Sequence, residues 1–214
     1  MTTLYLIRHS ERINNNRIIY AYDTDSPLVQ NEKDILSVEG EERAKRLADI
    51  QELLSVDKVY VSKCVRTLQT AKYLLEKLNQ PAIIDERLDE RRVGLPNDQM
   101  YPDWFVKQYK EFDFKTEQGE SQRDVLARMD EVINEILDAN KDKKVAIFSH
   151  GYAICFYLLK YGKLDYIDLN KNVKITYNNK TVLDGQLNAP EIFKLEFEGR
   201  ELVSITNITN LLKK

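Results

Sequence analysis

Short apolar runs alternate along this chain with stretches in which apolar residues recur at helical spacing. The continuous runs are Leu4–Ile7, Val59–Val61, Ala82–Ile84 and Val145–Phe148. Runs of this kind are typical of strands buried on both faces of a parallel sheet. The helical patterns cover residues 37–54, 67–78 and 121–137. Alternating strands and helices predict an α/β fold, a three-layer α/β/α sandwich with a mostly parallel central sheet.

The remaining segments predict additions to this sheet. Ile192–Phe197 and Leu202–Ile205 flank Glu198-Gly199-Arg200, a pattern that predicts a hairpin at an antiparallel edge. Residues 165–188 are polar and predict a surface loop with short strands. Residues 86–118 contain two prolines and an aromatic cluster, which predicts an inserted, lid-like segment. Without repeats or a low-complexity linker, residues 1–214 are predicted to form a single domain.

The composition narrows the class of protein. The chain has 32 basic and 35 acidic residues, a net charge of −3, which argues against a nucleic-acid partner. Its two cysteines, Cys64 and Cys155, form neither a disulfide framework nor a metal motif. The short apolar start is neither a signal peptide nor a membrane span, and no other stretch is long enough to be one. We therefore expect a cytoplasmic protein without a membrane partner.

Both histidines of the chain follow apolar runs. His9 comes after Leu4–Ile7 and Arg8, and His150 comes after Val145–Phe148 and Ser149. Ligands in open α/β sheets bind beyond the carboxyl ends of the strands, so the two imidazoles are predicted to face one pocket. Arg8 and Arg66 also follow strand ends, and guanidinium groups offer paired donors that suit phosphate oxygens.

Several motifs resemble those of the histidine phosphatase superfamily, which includes phosphoglycerate mutases. Leu6-Ile7-Arg8-His9-Ser10-Glu11 resembles the Arg-His-Gly opening of the family, and Asn15 falls where the family has a phosphate-contacting asparagine. The other matching segments, in the order of the family, are Leu36-Ser37-x-x-Gly40, Ser62-x-x-x-Arg66-Thr67-x-Gln69-Thr70-Ala71, Leu88-x-Glu90-x-x-x-Gly94, Gly119-Glu120-Ser121 with Arg128, and Ser149-His150-Gly151. Each segment is weak alone, but together they are specific and span residues 4–151.

The resemblance implies a role for each matched residue. His9 would be the nucleophile that becomes phosphorylated, which requires a neutral imidazole. Arg8, Arg66 and His150 would surround the transferring phosphoryl group, and Asn15 would add a neutral donor. Glu90 would protonate the leaving oxygen and then accept a proton from the attacking water.

The expected reaction needs a small phosphorylated substrate and neither a metal nor a cofactor. Metal-dependent phosphatases hold their ions with clusters of Asp, His and Asn, whereas both histidines here already have other roles. The pair Asp23 and Asp25 is more typical of a solvated turn than of a cation site. The sequence leaves the oligomeric state open.

Some residues depart from the family pattern. Ser10 replaces the usual glycine and is expected to add a side chain near the pocket. The segment after Glu90 lacks the His-Tyr pair of true phosphoglycerate mutases, and no extra basic loop is evident, so hydrolysis of phosphate monoesters is favoured. A phosphoglycerate mutase and a non-catalytic module that binds a phosphorylated ligand are the alternatives. Arg91, Arg92, Lys107 and Lys110 either contact further negative charge on a substrate or form a solvated face, with Trp104 and Phe105 turned inward.

Overall fold

The computed structural model describes residues 1–13, 32–94 and 103–213. Its strands are β1 (Thr2–Arg8), β2 (Lys58–Val61), β3 (Ile83–Ile84), β4 (Lys144–Ser149), β5 (Lys163–Ile167), β6 (Val173–Tyr177), β7 (Lys180–Gly185), β8 (Ile192–Glu198) and β9 (Glu201–Asn207). Six of them form the main sheet in the order β3-β2-β4-β1-β8-β9. The first four in this order are parallel, and β8 is antiparallel to both of its neighbours. The mostly parallel sheet with an antiparallel edge hairpin is thus confirmed.

The α-helices within the described ranges are α1 (Val38–Leu47), α2 (Val65–Leu78), α3 (Trp104–Lys110), α4 (Gln122–Ala139) and α5 (Gly151–Leu158). Two begin at serine caps of the expected kind. The Ser37 hydroxyl accepts from the Gly40 amide at 3.0 Å, and Ser121 forms a capping box with Asp124. Helix α1 ends at Leu47, earlier than the predicted residue 54, because Ile50 and Leu53 turn into the core through a loop and a short 3₁₀ helix.

The central strands are buried on both faces, as their continuous apolar runs predict. On β1, Leu4 and Leu6 face the core formed with α4 and α5, whereas Tyr5 and Ile7 face the core formed with α1 and α2. The sheet therefore lies between two helical layers. This arrangement leaves the carboxyl edge of the parallel strands as the place where the strand-end residues meet.

Strands β5, β6 and β7 form a second, antiparallel sheet. The predicted short strands are present, but the prediction that they lie at the surface is wrong, because one side of this sheet is buried. Four of its side chains are buried in the core that α4 and α5 share, namely Val173, Ile175, Val182 and Leu183. The chain then returns to the main sheet through residues 186–191, which pass beside the end of β1.

The segment predicted to be an inserted lid is described at residues 86–94 and 103–118, and residues 95–102 lie outside the described part. Trp104 and Phe105 on α3 are buried, as expected. That the segment acts as a lid stays a prediction. Among the described residues, no helix combines the length and the apolar character needed to cross a membrane.

Candidate active site

Three neighbouring parallel strands deliver the predicted residues to one edge of the sheet. Because β4 lies between β1 and β2, the residues that follow these strands are neighbours in space. The His9 amide donates to the Ser149 carbonyl at 3.0 Å, and the Ser62 amide donates to the Phe148 carbonyl at 3.0 Å. These hydrogen bonds fix the start of each loop, so that residues far apart in the chain converge.

The two imidazoles share one buried site, as predicted. The ring centroids of His9 and His150 are 5.3 Å apart, and the exposed fractions of these residues are 5% and 0%. Arg66 is also buried, and its Nη2 lies 2.9 Å from His150 Nδ1. Two imidazoles and a guanidinium thus surround a single small volume.

Hydrogen bonding determines which nitrogen of His9 is available for chemistry. His9 Nδ1 lies 2.7 Å from the Ser10 carbonyl oxygen, which can only accept, so Nδ1 carries the proton. Burial, and then the charges of Arg66 and Arg8, hold the pKa of His9 well below its usual value. The neutral ring therefore keeps a lone pair on Nε2, the form that a nucleophile requires.

His150 is held in the opposite tautomer by a directed chain of hydrogen bonds. A guanidinium can only donate, so Nδ1 of His150 accepts from Arg66 and Nε2 carries the proton. Nε2 donates to Ser62 Oγ at 2.8 Å, and Ser62 Oγ lies 2.8 Å from Thr67 Oγ1. Burial, followed by the charge of Arg66, holds the pKa of His150 well below normal. Sequence reasoning assigned no role to Ser62 or Thr67, although both lie in the motif around Arg66.

Arg8 is oriented by the loop that precedes β8. Its Nη1 donates to the carbonyls of Leu187 at 2.7 Å and Asn188 at 2.9 Å. Gly151, the first residue of α5, lies beside this guanidinium, since a Cβ there would be 3.4 Å from Arg8 Nε and 3.2 Å from Leu187 Cδ1. Arg8 Nε is buried without a hydrogen-bond partner among the described residues. The loop thus fixes one end of the guanidinium beside the start of α5.

Glu191 anchors this loop, and sequence reasoning missed it. The exposed fraction of Glu191 is 1%. One carboxylate oxygen accepts from the amide and the side chain of Asn188 at 2.5 and 2.7 Å. The other accepts from Asn207 Nδ2 at 2.7 Å and Thr209 Oγ1 at 3.1 Å. A buried carboxylate with four donors ties the carbonyls that hold Arg8 to the end of β9.

We expect Glu191→Gln to lower the free energy of unfolding by about 2–3 kcal/mol, because an amide group would face donors that now reach a carboxylate. Urea unfolding measures the change. The matched control is Glu198→Gln at the exposed end of β8, the strand that Glu191 precedes, and it should stay within about 0.5 kcal/mol of the parent protein. Equal stabilities of the two variants would contradict the role given to Glu191.

Glu90 lies at the N-terminus of α5. Its carboxylate accepts from the amides of Tyr152 at 3.3 Å, Ala153 at 3.2 Å and Arg91 at 2.9 Å. Within the described residues it forms no ion pair with Arg91 or Arg92, so backbone amides rather than a salt bridge hold the carboxylate in place. Burial lowers the pKa of the Arg8 guanidinium, and the Glu90 carboxylate is close enough to oppose that shift in part. The start of α5 therefore places the Glu90 carboxylate near Arg8.

Arg128 holds the segment that carries Glu90. It donates to both carboxylate oxygens of Glu120 at 2.9 and 3.1 Å, and to the carbonyls of Arg87 and Asp89 at 2.6 and 2.8 Å. Burial opposes the ionisation of Glu120, but Arg128 outweighs it, and the pKa of Glu120 is lowered. Arg128 thus links Glu120 to the backbone of the segment that precedes Glu90.

The serine that replaces the usual glycine does not enter the site. Ser10 is fully buried, and its hydroxyl donates to the Gly40 carbonyl at 2.7 Å. Its amide donates to Thr70 Oγ1 at 2.9 Å. Ser10 therefore lies beside His9, but its hydroxyl and its amide are already engaged in joining the end of β1 to α1 and α2.

Two predictions about ligands are not tested by this structure. Asn15 lies outside the described residues, so its phosphate contact stays a prediction. Within the described residues, Cys64, Asp89 and His150 bring ligand atoms within 4.8 Å of one another. Both ring nitrogens of His150 already have partners, and one partner is the Arg66 cation, which repels a metal ion. Metal-free chemistry remains the expectation.

The buried imidazoles predict how stability depends on pH. Since the pKa values of His9 and His150 are depressed, the unfolded chain binds more protons below about pH 6.5. Stability is thus complete above that pH and falls as the pH drops toward the folded-state values. Burial raises the pKa of Asp89 to about 6, which gives a slope of the opposite sign.

We expect His9→Gln to reduce the fall in unfolding free energy by about 1.4 kcal/mol per pH unit below pH 6, because one proton-linked imidazole is removed. Urea unfolding at several pH values measures the slopes. Asp89 is present in both proteins, so its contribution cancels in the comparison. Identical slopes would show that His9 is not held neutral by the fold.

Comparison with protein families finds a match over most of the chain. The family described as the histidine phosphatase superfamily, branch 1, matches residues 4–194. Two curated relatives are probable phosphoglycerate mutases GpmB. The protein from Cronobacter sakazakii is 26% identical over 163 residues, and that from Serratia proteamaculans is 28% identical over 163 residues. Both alignments cover 72% of this chain and 72% of the relative.

Solved structures with the same fold include Bacillus stearothermophilus YhfR, with a TM-score of 0.67, 22% identity and coverage of 95% of each chain. The mycobacterial glucosyl-3-phosphoglycerate phosphatase has a TM-score of 0.65 and 20% identity, covering 96% of this chain and 95% of that one. The phosphoserine phosphatase of Entamoeba histolytica in complex with 3-phosphoglyceric acid has a TM-score of 0.65 and 19% identity, covering 99% and 100%. At these identities the likeness concerns the fold.

Proposed function

Because this chain belongs to the histidine phosphatase superfamily, branch 1, we propose that it hydrolyses phosphate monoesters through a phosphohistidine on His9. One observation carries the proposal: the hydrogen bond from His9 Nδ1 to the Ser10 carbonyl leaves the lone pair of Nε2 free, in a ring whose centroid is 5.3 Å from that of His150. Arg8 and Arg66 supply the positive charge that a phosphoryl group requires there.

In the first step, Nε2 of His9 attacks phosphorus, a P–N bond forms and the ester P–O bond breaks. Glu90 gives its proton to the leaving oxygen. In the second step, water attacks the phosphohistidine, Glu90 takes a proton from that water, and inorganic phosphate leaves as the P–N bond breaks. Arg8 and Arg66 stabilise charge on the equatorial oxygens in both steps, without a metal ion, and His150 holds the Arg66 guanidinium in place through Nδ1.

A phosphatase assignment is supported by two neighbours in fold, which are a glucosyl-3-phosphoglycerate phosphatase and a phosphoserine phosphatase. The curated relatives carry the name of a mutase, and this favours phosphoglycerate mutase as the second candidate. A mutase must protect its phosphohistidine from water until the second substrate is bound. The two activities therefore differ in the fate of the phosphoryl group.

The test measures that fate and the intermediate together. Inorganic phosphate release is followed with phosphorylated sugars, nucleotides, phosphopeptides and phosphoglycerate, and isomerisation of phosphoglycerate is followed in a coupled assay. A rapid alkaline quench with ³²P-labelled ester should trap a phosphoenzyme that alkali spares and acid destroys. Isomerisation with little phosphate release would favour the mutase. Binding without turnover or labelling would favour a non-catalytic module.

A further inference from the structure

A further cationic group, Arg91, lies beside the proposed site and forms no ion pair within the described residues. The guanidinium carbon of Arg91 lies 4.1 Å from the centre of the Trp104 ring and 3.8 Å from that of Tyr152. Arg91 is 7% exposed. Both faces of its planar guanidinium are thus covered by aromatic rings, so its N–H groups can form hydrogen bonds only in the plane of the guanidinium.

The charge of Arg91 is unpaired within the described part of the chain. Its Nε and Nη1 are buried without a hydrogen-bond acceptor, and no acidic side chain forms an ion pair with it. Other arginines of this region are paired, since Arg87 contacts Asp85 and Glu135, and both Arg92 and Arg128 contact Glu120. Burying an uncompensated cation is costly, so this arrangement suits a ligand that brings the missing negative charge.

The position of Arg91 indicates which part of a ligand it would meet. It follows Glu90 directly, and the backbone amide of Tyr152 donates to the Glu90 carboxylate while its ring covers Arg91. The cation therefore lies on the side of the acid, where the leaving group departs in the proposed reaction. Arg8 and Arg66 lie on the side of the transferred phosphoryl group.

We propose that Arg91 binds a second anionic group on the organic part of the substrate. The substrates would then be phosphomonoesters that also carry a carboxylate or a second phosphate. A guanidinium that presents only its edge favours oxyanions that accept two parallel hydrogen bonds, a property that both groups share. This inference rests on the proposed function, because it places the reacting phosphate at His9.

Matched pairs of esters test the inference. 3-Phosphoglycerate is compared with glycerol 3-phosphate, and phosphoserine with phosphoethanolamine, so that each pair differs in the carboxylate. Fructose 1,6-bisphosphate against fructose 6-phosphate tests a second phosphate. We expect kcat/KM to be about 10- to 100-fold higher for the member with the extra anion in at least one class, as charge-assisted hydrogen bonds provide. The pair that shows the preference identifies the anion.

Variants assign the preference to Arg91. Arg91→Met keeps an unbranched side chain between the rings and should abolish the preference while changing kcat/KM of the ester without the extra anion less than about 3-fold. Arg91→Lys keeps the positive charge but loses the planar guanidinium, so this variant should retain only part of the preference. Arg92→Met is the matched control, since this neighbour is exposed and pairs with Glu120. It should keep the full preference.

The outcomes separate this inference from the proposed function. Three results would overturn the inference. The first is an equal loss of kcat/KM for both members of a pair in Arg91→Met, the second is an unaltered preference in that variant, and the third is the absence of a preference in the parent protein. If no ester is hydrolysed, the proposed function fails, and the same pairs are compared by the rise in Tm that each ligand causes. A larger rise with the anionic member, lost in Arg91→Met and kept in Arg92→Met, supports the inference, and equal rises overturn it.

Discussion

Replacing His9 by alanine is expected to lower kcat by roughly 10⁴-fold or more, because the proposed reaction passes through a covalent bond to this side chain. The other histidine, His150, is not available for the attack, since both of its ring nitrogens already form hydrogen bonds. The measurements are phosphate release at saturating substrate and alkaline trapping of labelled enzyme. The variant should show no label.

The loss must be separated from a loss of the fold or of the phosphate site. Arg8 and Arg66 are unchanged in His9→Ala, so inorganic phosphate should still raise the Tm of the variant. His9→Gln, which fills more of the space, is expected to be as inactive as the alanine variant. Label that persists in either variant would place the phosphoryl group on another residue and refute the mechanism.

The parts of the site that could be predicted are those determined by strand ends. Continuous apolar runs identified β1, β2 and β4 because strands between two helical layers are buried on both faces. The residues that follow such strands must meet at one edge, which is why His9 and His150 could be placed together from their positions alone. The distance of 5.3 Å between the ring centroids confirms that reasoning.

Helix α5 could not be recognised because its sequence is apolar on all sides. Residues 151–158 are fully enclosed except for Tyr152, so they show no contrast between an inner and an outer face. The turn between β6 and β7 did carry a signal. Asn178 and Asn179 have φ angles of 48° and 61°, and paired asparagines favour such hairpin turns. The polar composition around them concealed it.

The supports of the catalytic side chains lie beyond what local patterns encode. Arg8 is held by carbonyls 179 and 180 residues away, and the Ser62 hydroxyl meets a ring 88 residues away. Backbone carbonyls are present at every residue, so the sequence gives no sign of which ones will orient a guanidinium. Ser10 shows the converse, since a polar residue beside a nucleophile serves packing between β1 and α1.

For Glu90→Gln, we expect kcat with alkyl phosphates to fall by roughly 10²- to 10⁴-fold, because the amide can neither donate a proton to the leaving oxygen nor accept one from water. With p-nitrophenyl phosphate the leaving oxygen needs no proton, so phosphorylation of His9 should remain fast. The second step still needs a base. The variant should therefore release a burst of nitrophenol equal to the enzyme concentration and accumulate phosphoenzyme.

The comparison between esters distinguishes acid catalysis from a structural role. The oxygen of glutamine can accept from the amides of Ala153 and Arg91, as Oε1 of Glu90 does, while its NH₂ group cannot accept from the Tyr152 amide. This change in helix capping would slow both esters alike. Glu86→Gln is the matched control, because Glu86 is exposed and contacts only Lys63 among the described residues, and its kcat should stay within about 2-fold. An equal loss for alkyl and aryl esters, without a burst, would assign proton transfer to another group. Asp89 would be the next residue to test, since burial raises its pKa to about 6, within the range that suits a general acid.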